Sequence, residues 1–232
     1  MITLYSGTPG SGKSLKAAER IYNIMKYQNR LIIANFEIDL TRFKKTRSTF
    51  VYLDNMQLTP KKIRELSDNW FSDPSHKFNE GSILLIVDEC QIIFNAREWQ
   101  ATGRNDWLSF FTQHRKMGID IILIAQFDRM IDRQIRSLIE YEYIHRKCSN
   151  FGWQGKIVSL LFGGNLFVQV KMWYPLKERI GSEFFKAKKA YYSIYDTYNL
   201  FNNNESSDKS GTEEDKKDTP AESFFKQTEE VS

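Results

Sequence analysis

The sequence predicts an α/β fold: a mostly parallel central sheet flanked by helices. Three observations carry that expectation. Ser82–Val87 and Ile119–Ala125 are nearly continuous apolar runs, which suit strands buried on both faces. Stretches of helical periodicity lie between and before them. A glycine-rich turn at residues 7–12 joins an apolar opening to the first helical stretch. Strands alternating with helices are the pattern of an α/β layer structure.

Taken in order, Ile2–Tyr5 is the first strand. A helix follows from Lys13 to about Lys26, with Leu15, Ala18, Ile21 and Ile24 on one side. Arg30–Phe36 is a second strand candidate and Thr49–Leu53 a weaker one. Thr59-Pro60 opens a helix that runs to about Trp70, because Thr is a good N-cap and Pro at the first helical position loses no hydrogen bond. Asp106–Met117 is helical, and so is Asp128–Glu140. Ile157–Val170 reads as two strands joined by a turn at Gly163-Gly164-Asn165. After Tyr198 the chain becomes Asn, Ser, Glu, Asp and Lys, which cannot bury enough apolar surface to fold alone. The expected organisation is a core over residues 1–150, a small β-containing C-terminal portion over 151–201 and a disordered acidic tail over 202–232.

The 232 residues are 41% hydrophobic and 27% charged, which permits a packed core and excludes wholesale disorder. Net charge is +4, but residues 202–232 hold nine acidic residues and four lysines, which leaves the first 201 residues at +9. A basic body suits a phosphate-rich partner such as nucleotide, nucleic acid or an anionic lipid surface. Two cysteines, Cys90 and Cys148, exclude a disulfide framework and a CxxC metal clamp, and each reads as a reduced thiol of a cytosolic protein. The opening residues do not form a signal peptide. The longest apolar segment, residues 157–170, is too short for a membrane span of about 20 residues.

Gly7-Thr8-Pro9-Gly10-Ser11-Gly12-Lys13-Ser14 fits the phosphate-loop pattern G-x-x-x-x-G-K-[ST] at every fixed position, after a strand and at the start of a helix. Glycines let the backbone turn with positive φ and aim its N–H groups at phosphate oxygens. The helix adds free N–H groups and the positive end of its dipole. Lys13 is expected to reach the β- and γ-phosphates of ATP, and Ser14 to offer its hydroxyl to Mg²⁺. Ser82–Val87 ends in Asp88-Glu89, which delivers two carboxylates at a carboxyl strand edge, where open α/β sheets place ligands. Asp88 is assigned to Mg²⁺ and Glu89 to orienting and deprotonating the attacking water. The next buried strand ends at Gln126, a polar amide expected beside the γ-phosphate. Arg115 is the candidate for an arginine finger that reaches a neighbouring subunit's nucleotide, with Arg97 and Arg104 as rivals. His76 and His145 show no metal-ligand spacing and read as structural or solvated.

The phosphate loop near the start, Val87-Asp88-Glu89, the block Gln113-His114-Arg115 followed by Gly118–Gln126, and Tyr192–Thr197 resemble the zonular occludens toxin (Zot) family. That family includes the gene I assembly protein of filamentous phages and belongs to the FtsK/HerA-like P-loop ATPases. The resemblance covers roughly residues 1–197. It implies a P-loop NTPase fold and an ATPase at the host inner membrane that drives extrusion of the phage particle, with coat protein and DNA as cargo. By motif position it implies phosphate and Mg²⁺ binding at Lys13 and Ser14, the acidic pair at Asp88 and Glu89, and a strand-end polar residue at Gln126. Phage members usually continue into a transmembrane helix. None is visible here, so the expectation is peripheral attachment at the cytoplasmic face of the membrane, or a membrane-spanning partner.

Two further features bear on partners. Arg129, Arg133 and Arg136 fall at i, i+4 and i+7 of the expected 128–140 helix, a stripe that suits phosphate backbone or anionic lipid as well as plain solvent. Tyr191, Tyr195 and Tyr198 share that spacing and suit core packing or a docking face, and Phe224-Phe225 is the one aromatic pair of the tail. The leading expectation is a motor assembled as a homo-oligomeric ring for phage export. The alternative is a soluble DNA-translocating or packaging ATPase of the same superfamily.

Overall fold

The computed structural model describes residues 1–95, 103–153, 157, 160 and 165–194. Among these residues, eight strands form one sheet: β1 (Ile2–Ser6), β2 (Leu31–Ala34), β3 (Thr49–Tyr52), β4 (Ile83–Val87), β5 (Ile119–Ile124), β6 (Tyr141–Lys147), β7 (Leu166–Trp173) and β8 (Glu178–Lys186). Their order is β3-β2-β4-β5-β1-β6-β7-β8. From β3 through β6 every neighbouring pair is parallel. From there the sheet turns antiparallel, β6 with β7 and β7 with β8.

The apolar runs are buried for the reason their composition implies. Along β4 and β5 alternate residues point to opposite faces, and both faces are covered. On one face Ile32, Leu84, Ile86, Ile122 and Ile124 pack against α1 (Lys13–Tyr27) and Tyr191 of a short helix, Lys189–Tyr192. On the other, Ile33, Leu85, Ile121 and Leu123 pack against α2 (Pro60–Ser72), α3 (Arg104–Gln113) and α4 (Arg133–Arg136). Thr59 caps α2 as its sequence implies, accepting from the Lys62 N–H. Tyr191 is a core residue, edge-on to Tyr22 with ring centroids 5.5 Å apart.

Three expectations are corrected. Asp128–Glu140 is not one helix. A 3-10 turn at Asp128–Met130 gives way to extended backbone at Ile131 (φ −91°, ψ 144°), and α4 restarts behind Asp132, whose carboxylate accepts from the Gln134 N–H at 2.8 Å. The cause is tertiary: Ile131 is wholly buried and bridges to Asn95, which a continuous helix would not allow. Arg129, Arg133 and Arg136 therefore form no single stripe; the first two are exposed and Arg136 is partly buried. The strand pair expected over Ile157–Val170 does not fit the described residues there, and Gly163 and Gly164 of its expected turn lie outside them. Ile157 and Leu160 have helical backbone, and Leu166–Val170 begin β7, whose hairpin partner is β8, through a turn in which Lys177 takes φ 54°. The open edge of β6 supplies the second partner, which satisfies backbone groups that a free hairpin would leave in solvent. The helix expected over Asp106–Met117 ends at Gln113 and continues as a 3-10 turn closed by Gly118 at φ 65°. Tyr195, Tyr198, Phe224-Phe225 and the acidic tail lie outside the described residues.

Candidate active site

β1 is the central strand of the site, flanked by β5 and β6, and its carboxyl end delivers the phosphate loop. Thr8, Pro9 and Gly10 form the exposed crest of the loop, and Ser11 turns inward with its N–H donated to the Thr8 carbonyl at 3.1 Å. Gly12 has φ 96°, and a Cβ there would stand 2.8 Å from the Phe167 ring, so both backbone and space require glycine. Behind it α1 starts with no side-chain cap and no acidic residue in its first turn. Its leading N–H groups and positive dipole end are thus left for an anion. Lys13 is buried and folds back over the loop, donating to the carbonyls of Gly7 (2.7 Å) and Thr8 (3.3 Å). Burial lowers its pKa, against the pull of the Glu89 and Asp88 carboxylates. A phosphate arriving here would take over those lysine donors, and its negative charge would offset the cost of burying the ammonium.

The sheet order brings the second half of the site into place. β5 lies between β1 and β4, so Gln126 sits between the phosphate loop and the acid pair. The Gly7 N–H donates to the Gln126 carbonyl at 3.1 Å, and the Ser14 hydroxyl donates to Asp88 Oδ2 at 3.3 Å. Glu89 adopts a left-handed backbone (φ 45°, ψ 45°), a conformation that costs a non-glycine residue about 1–3 kcal/mol. Its N–H donates to Asp88 Oδ1 at 2.8 Å, and its Oε2 accepts from the Gln91 amide. A cleft of about 500 Å³ opens on the β6 side of the phosphate loop, walled by Gly7, Thr8, Gln126, Asp128, His145 and Arg146, and the acid pair does not line it.

The structure thus gathers Gly7–Ser14, Asp88, Glu89 and Gln126 at one sheet edge. Arg115 is not brought there. It precedes β5 at the opposite edge, a strand length away, and donates to Glu140 Oε2 at 2.7 Å. Within one subunit it has no route to the phosphate loop. Arg104 opens α3 on the phosphate-loop edge and pairs with Asp132 at 3.7 Å, and Arg97 lies outside the described residues. His76 stacks on Trp70 with ring centroids 3.5 Å apart, and His145 is buried behind the phosphate loop against Tyr5. Cys90 and Cys148 are free and buried.

Sequence reasoning missed several supports. Asn35, at the end of β2, makes two hydrogen bonds to the Asp88 backbone. Gln91 holds the Glu89 carboxylate. Phe167 and Phe185, stacked with centroids 5.5 Å apart, buttress Gly12 from the antiparallel hairpin, and Lys16 reaches from α1 to Glu183 of β8 at 3.4 Å. A polar residue inside the apolar strand candidate Arg30–Phe36 was the one available signal for Asn35. Nothing in local pattern points to the others.

A family model described as zonular occludens toxin (Zot) matches residues 1–199. The Gene 1 protein of Enterobacteria phage I2-2 is 27% identical over 169 residues, which covers 71% of this chain and 46% of the phage protein. The Gene 1 protein of Enterobacteria phage M13 is 28% identical over 170 residues, covering 69% of this chain and 47% of the relative. The chain spans about half the length of the curated relatives it matches. The solved N-terminal domain of zonular occludens toxin from Neisseria meningitidis superposes with a TM-score of 0.51 at 22% identity, covering 84% of this chain and 98% of that one. That likeness is one of fold. With the phosphate loop and acid pair on one edge of a sheet flanked by helices, the fold is that of a P-loop NTPase, and the chain belongs to the zonular occludens toxin (Zot) family.

Proposed function

We propose that the chain hydrolyses ATP with Mg²⁺ and that this hydrolysis powers filamentous phage assembly and extrusion through the host membrane. The observation that carries the hydrolytic reading is the 3.3 Å approach of Ser14 to Asp88 beneath an uncapped helix terminus and a buried lysine. The donors fit the ion: one hydroxyl and one carboxylate are hard oxygen ligands, and Mg²⁺ takes few of these from protein and the rest from phosphate and water. Ser14 and Asp88 would hold Mg²⁺, which would supply neutralisation of phosphate charge. The chain's own groups do the remaining work. Lys13 and the α1 N–H groups hold phosphate, Glu89 takes the proton of the attacking water, and Gln126 orients that water against the γ-phosphate.

The family resemblance supports the assembly role, with coat protein and phage DNA as cargo. A homo-oligomeric ring is part of this reading, and within it Arg115 would act only on a neighbour's nucleotide. Among the described residues no helix is long and apolar enough to cross a membrane. Attachment is proposed as peripheral, at the cytoplasmic face, or through a membrane-spanning phage partner. The DNA-translocase reading drew on a continuous arginine face over residues 128–140, and that helix is broken at Ile131.

Steady-state phosphate release from ATP, with Glu89→Gln alongside wild type, tests the hydrolytic reading. Wild type should turn over, and the variant should bind ATP and lose about 10²-fold or more in rate, the scale of a general base. Wild-type turnover in Glu89→Gln would sink the assignment. Adding single-stranded DNA separates the two motor readings: a strong, salt-sensitive stimulation favours translocation over export.

A further inference from the structure

We propose that Asn35 is a positioning residue for the acid pair, and that the exposed turn at residues 54–58 acts on hydrolysis through an Asn55–Asn35–Asp88 chain of hydrogen bonds. The proposal rests on the hydrolytic reading above and adds a part to it.

The argument begins with the sheet. β2 pairs with β4 from Leu31↔Ile83 to Ala34↔Ile86 and then leaves the ladder. β4 continues for one more residue, Val87, paired only with β5 on its other side. At Asp88 the backbone has therefore lost its β2 partner, at the point where the carboxylates emerge. The Asn35 side chain takes the missing place. Its Oδ1 accepts from the Asp88 N–H at 2.7 Å, and its Nδ2 donates to the Asp88 carbonyl at 2.9 Å. A primary amide can do this because it carries an acceptor and a donor side by side, as a peptide does. The pairing also fixes which way the amide points, since a flip would set donor against donor.

The second Nδ2 hydrogen goes outward, to Asn55 Oδ1 at 2.8 Å. Asn55 belongs to a stiff turn. Asp54 Oδ1 accepts from the N–H groups of Met56 (2.8 Å) and Gln57 (2.9 Å), and the Leu58 N–H returns to the Asp54 carbonyl at 2.9 Å. Leu53 and Leu58 are buried at either end, whereas Met56 at the tip is 92% exposed. Displacement of the tip thus moves Asn55 with the turn instead of being absorbed within it.

On the inner side, the clamped Asp88 peptide is followed directly by Glu89 in its left-handed conformation. A backbone held in a costly state persists only where its surroundings over-determine it. Here the surroundings are Asn35 on the Asp88 peptide, Asp88 Oδ1 on the Glu89 N–H and Gln91 on the Glu89 carboxylate. Asn35 ties this group to an exposed surface element, the turn that carries Asn55. Catalysis in such sites is sensitive to displacements of the order of 1 Å, so a change at Asn35 reaches Asp88 and Glu89 together.

The test uses the full chain and the variants Asn35→Ala and Asn55→Ala. Phosphate release is measured alongside binding of a fluorescent ATP analogue with and without Mg²⁺. Asn35→Ala should keep its metal-free affinity, lose most of the gain in affinity that Mg²⁺ gives wild type, with KM rising to match, and lose about tenfold in kcat, equivalent to about 1.4 kcal/mol. Asn55→Ala, at an exposed position that leaves the core intact, should lower kcat about two- to fivefold, the net worth of one hydrogen bond. If Asn35→Ala unfolds, Asn55→Ala decides. Wild-type kcat in Asn55→Ala, or an undiminished Mg²⁺ gain in Asn35→Ala, overturns the proposal. A wild-type protein that binds nucleotide without turnover would defeat the hydrolytic reading instead, and the Mg²⁺ gain would still report on Asn35.

Discussion

Ser14 Oγ and Asp88 Oδ2 lie 3.3 Å apart although 74 positions separate them in the chain. β5 lies between β1, whose loop leads into Ser14, and β4, which ends just before Asp88, and this sets the spacing at which a hydroxyl and a carboxylate face one another. Ser14→Ala and Asp88→Asn should each remove most of the Mg²⁺ dependence of nucleotide binding while metal-free binding persists. Titration of nucleotide at a series of Mg²⁺ concentrations checks this, and an unaltered Mg²⁺ response in both variants would separate the pair from the metal.

Lys13 donates its ammonium to the loop carbonyls of Gly7 and Thr8. Lys13→Ala deletes a charge-assisted contact worth about 1.5–3 kcal/mol, so ATP affinity should fall by about one to two orders of magnitude. Calorimetric titration reads the loss directly.

Gly12→Ala combines a positive φ with a 2.8 Å approach to Phe167. It should destabilise the fold by about 1–3 kcal/mol and abolish nucleotide binding. Adding Phe167→Ala opens the space but leaves the backbone strained. The double variant is therefore expected to stay defective, as thermal unfolding and nucleotide titration would both report.

His145 is buried behind the phosphate loop, and burial lowers its pKa to about 4. The unfolded chain takes up the proton near pH 6.5, the native state only near 4. As pH falls through that window the unfolded state binds more protons, and stability declines. Above about 6.5 the effect is flat. The full drop is on the order of 3 kcal/mol. His114 is shifted in the same direction, chiefly by burial, and adds to the slope. Denaturant unfolding from pH 7 to 4 should show the decline, and His145→Gln should flatten it.

Arg115 and Glu140 form a partly exposed pair on the edge away from the phosphate loop. Such pairs contribute roughly 0.2–1 kcal/mol. Arg115→Ala should lose no more stability than that and should hydrolyse ATP within about twofold of wild type at low protein concentration, where a neighbour's site is rarely completed. A deficit confined to high concentration would place Arg115 at a neighbouring subunit.

The residues legible in the sequence are those whose chemistry is forced locally. The loop through Gly12, Lys13 and Ser14 reads as a turn between a strand and a helix because its glycines take positive φ, and Asp88-Glu89 reads as a strand end because the apolar run before it suits a buried strand. Asn35 stood out only as a polar residue within an apolar strand candidate, because its role depends on β2 lying beside β4, a fact of sheet order that no window of sequence contains. The helix expected over Asp128–Glu140 had the right period, but Asp132 is a strong cap and Ile131 was claimed by the core. β8 has one buried residue among nine, so it carries no alternation to read and is held by its pairing with β7.

β1 comes first in the chain, yet its sheet neighbours are β5 and β6, so Thr3 pairs with Ile122 on one side and Tyr141 on the other. During synthesis this apolar strand must wait for more than a hundred later residues before either edge is covered. A nascent chain would be unable to grip nucleotide until the sheet had nearly all left the ribosome, and contacts of such long sequence separation fold slowly. The phosphate loop is in this sense made before the strands that flank β1 and is among the last parts of the sheet to acquire its shape.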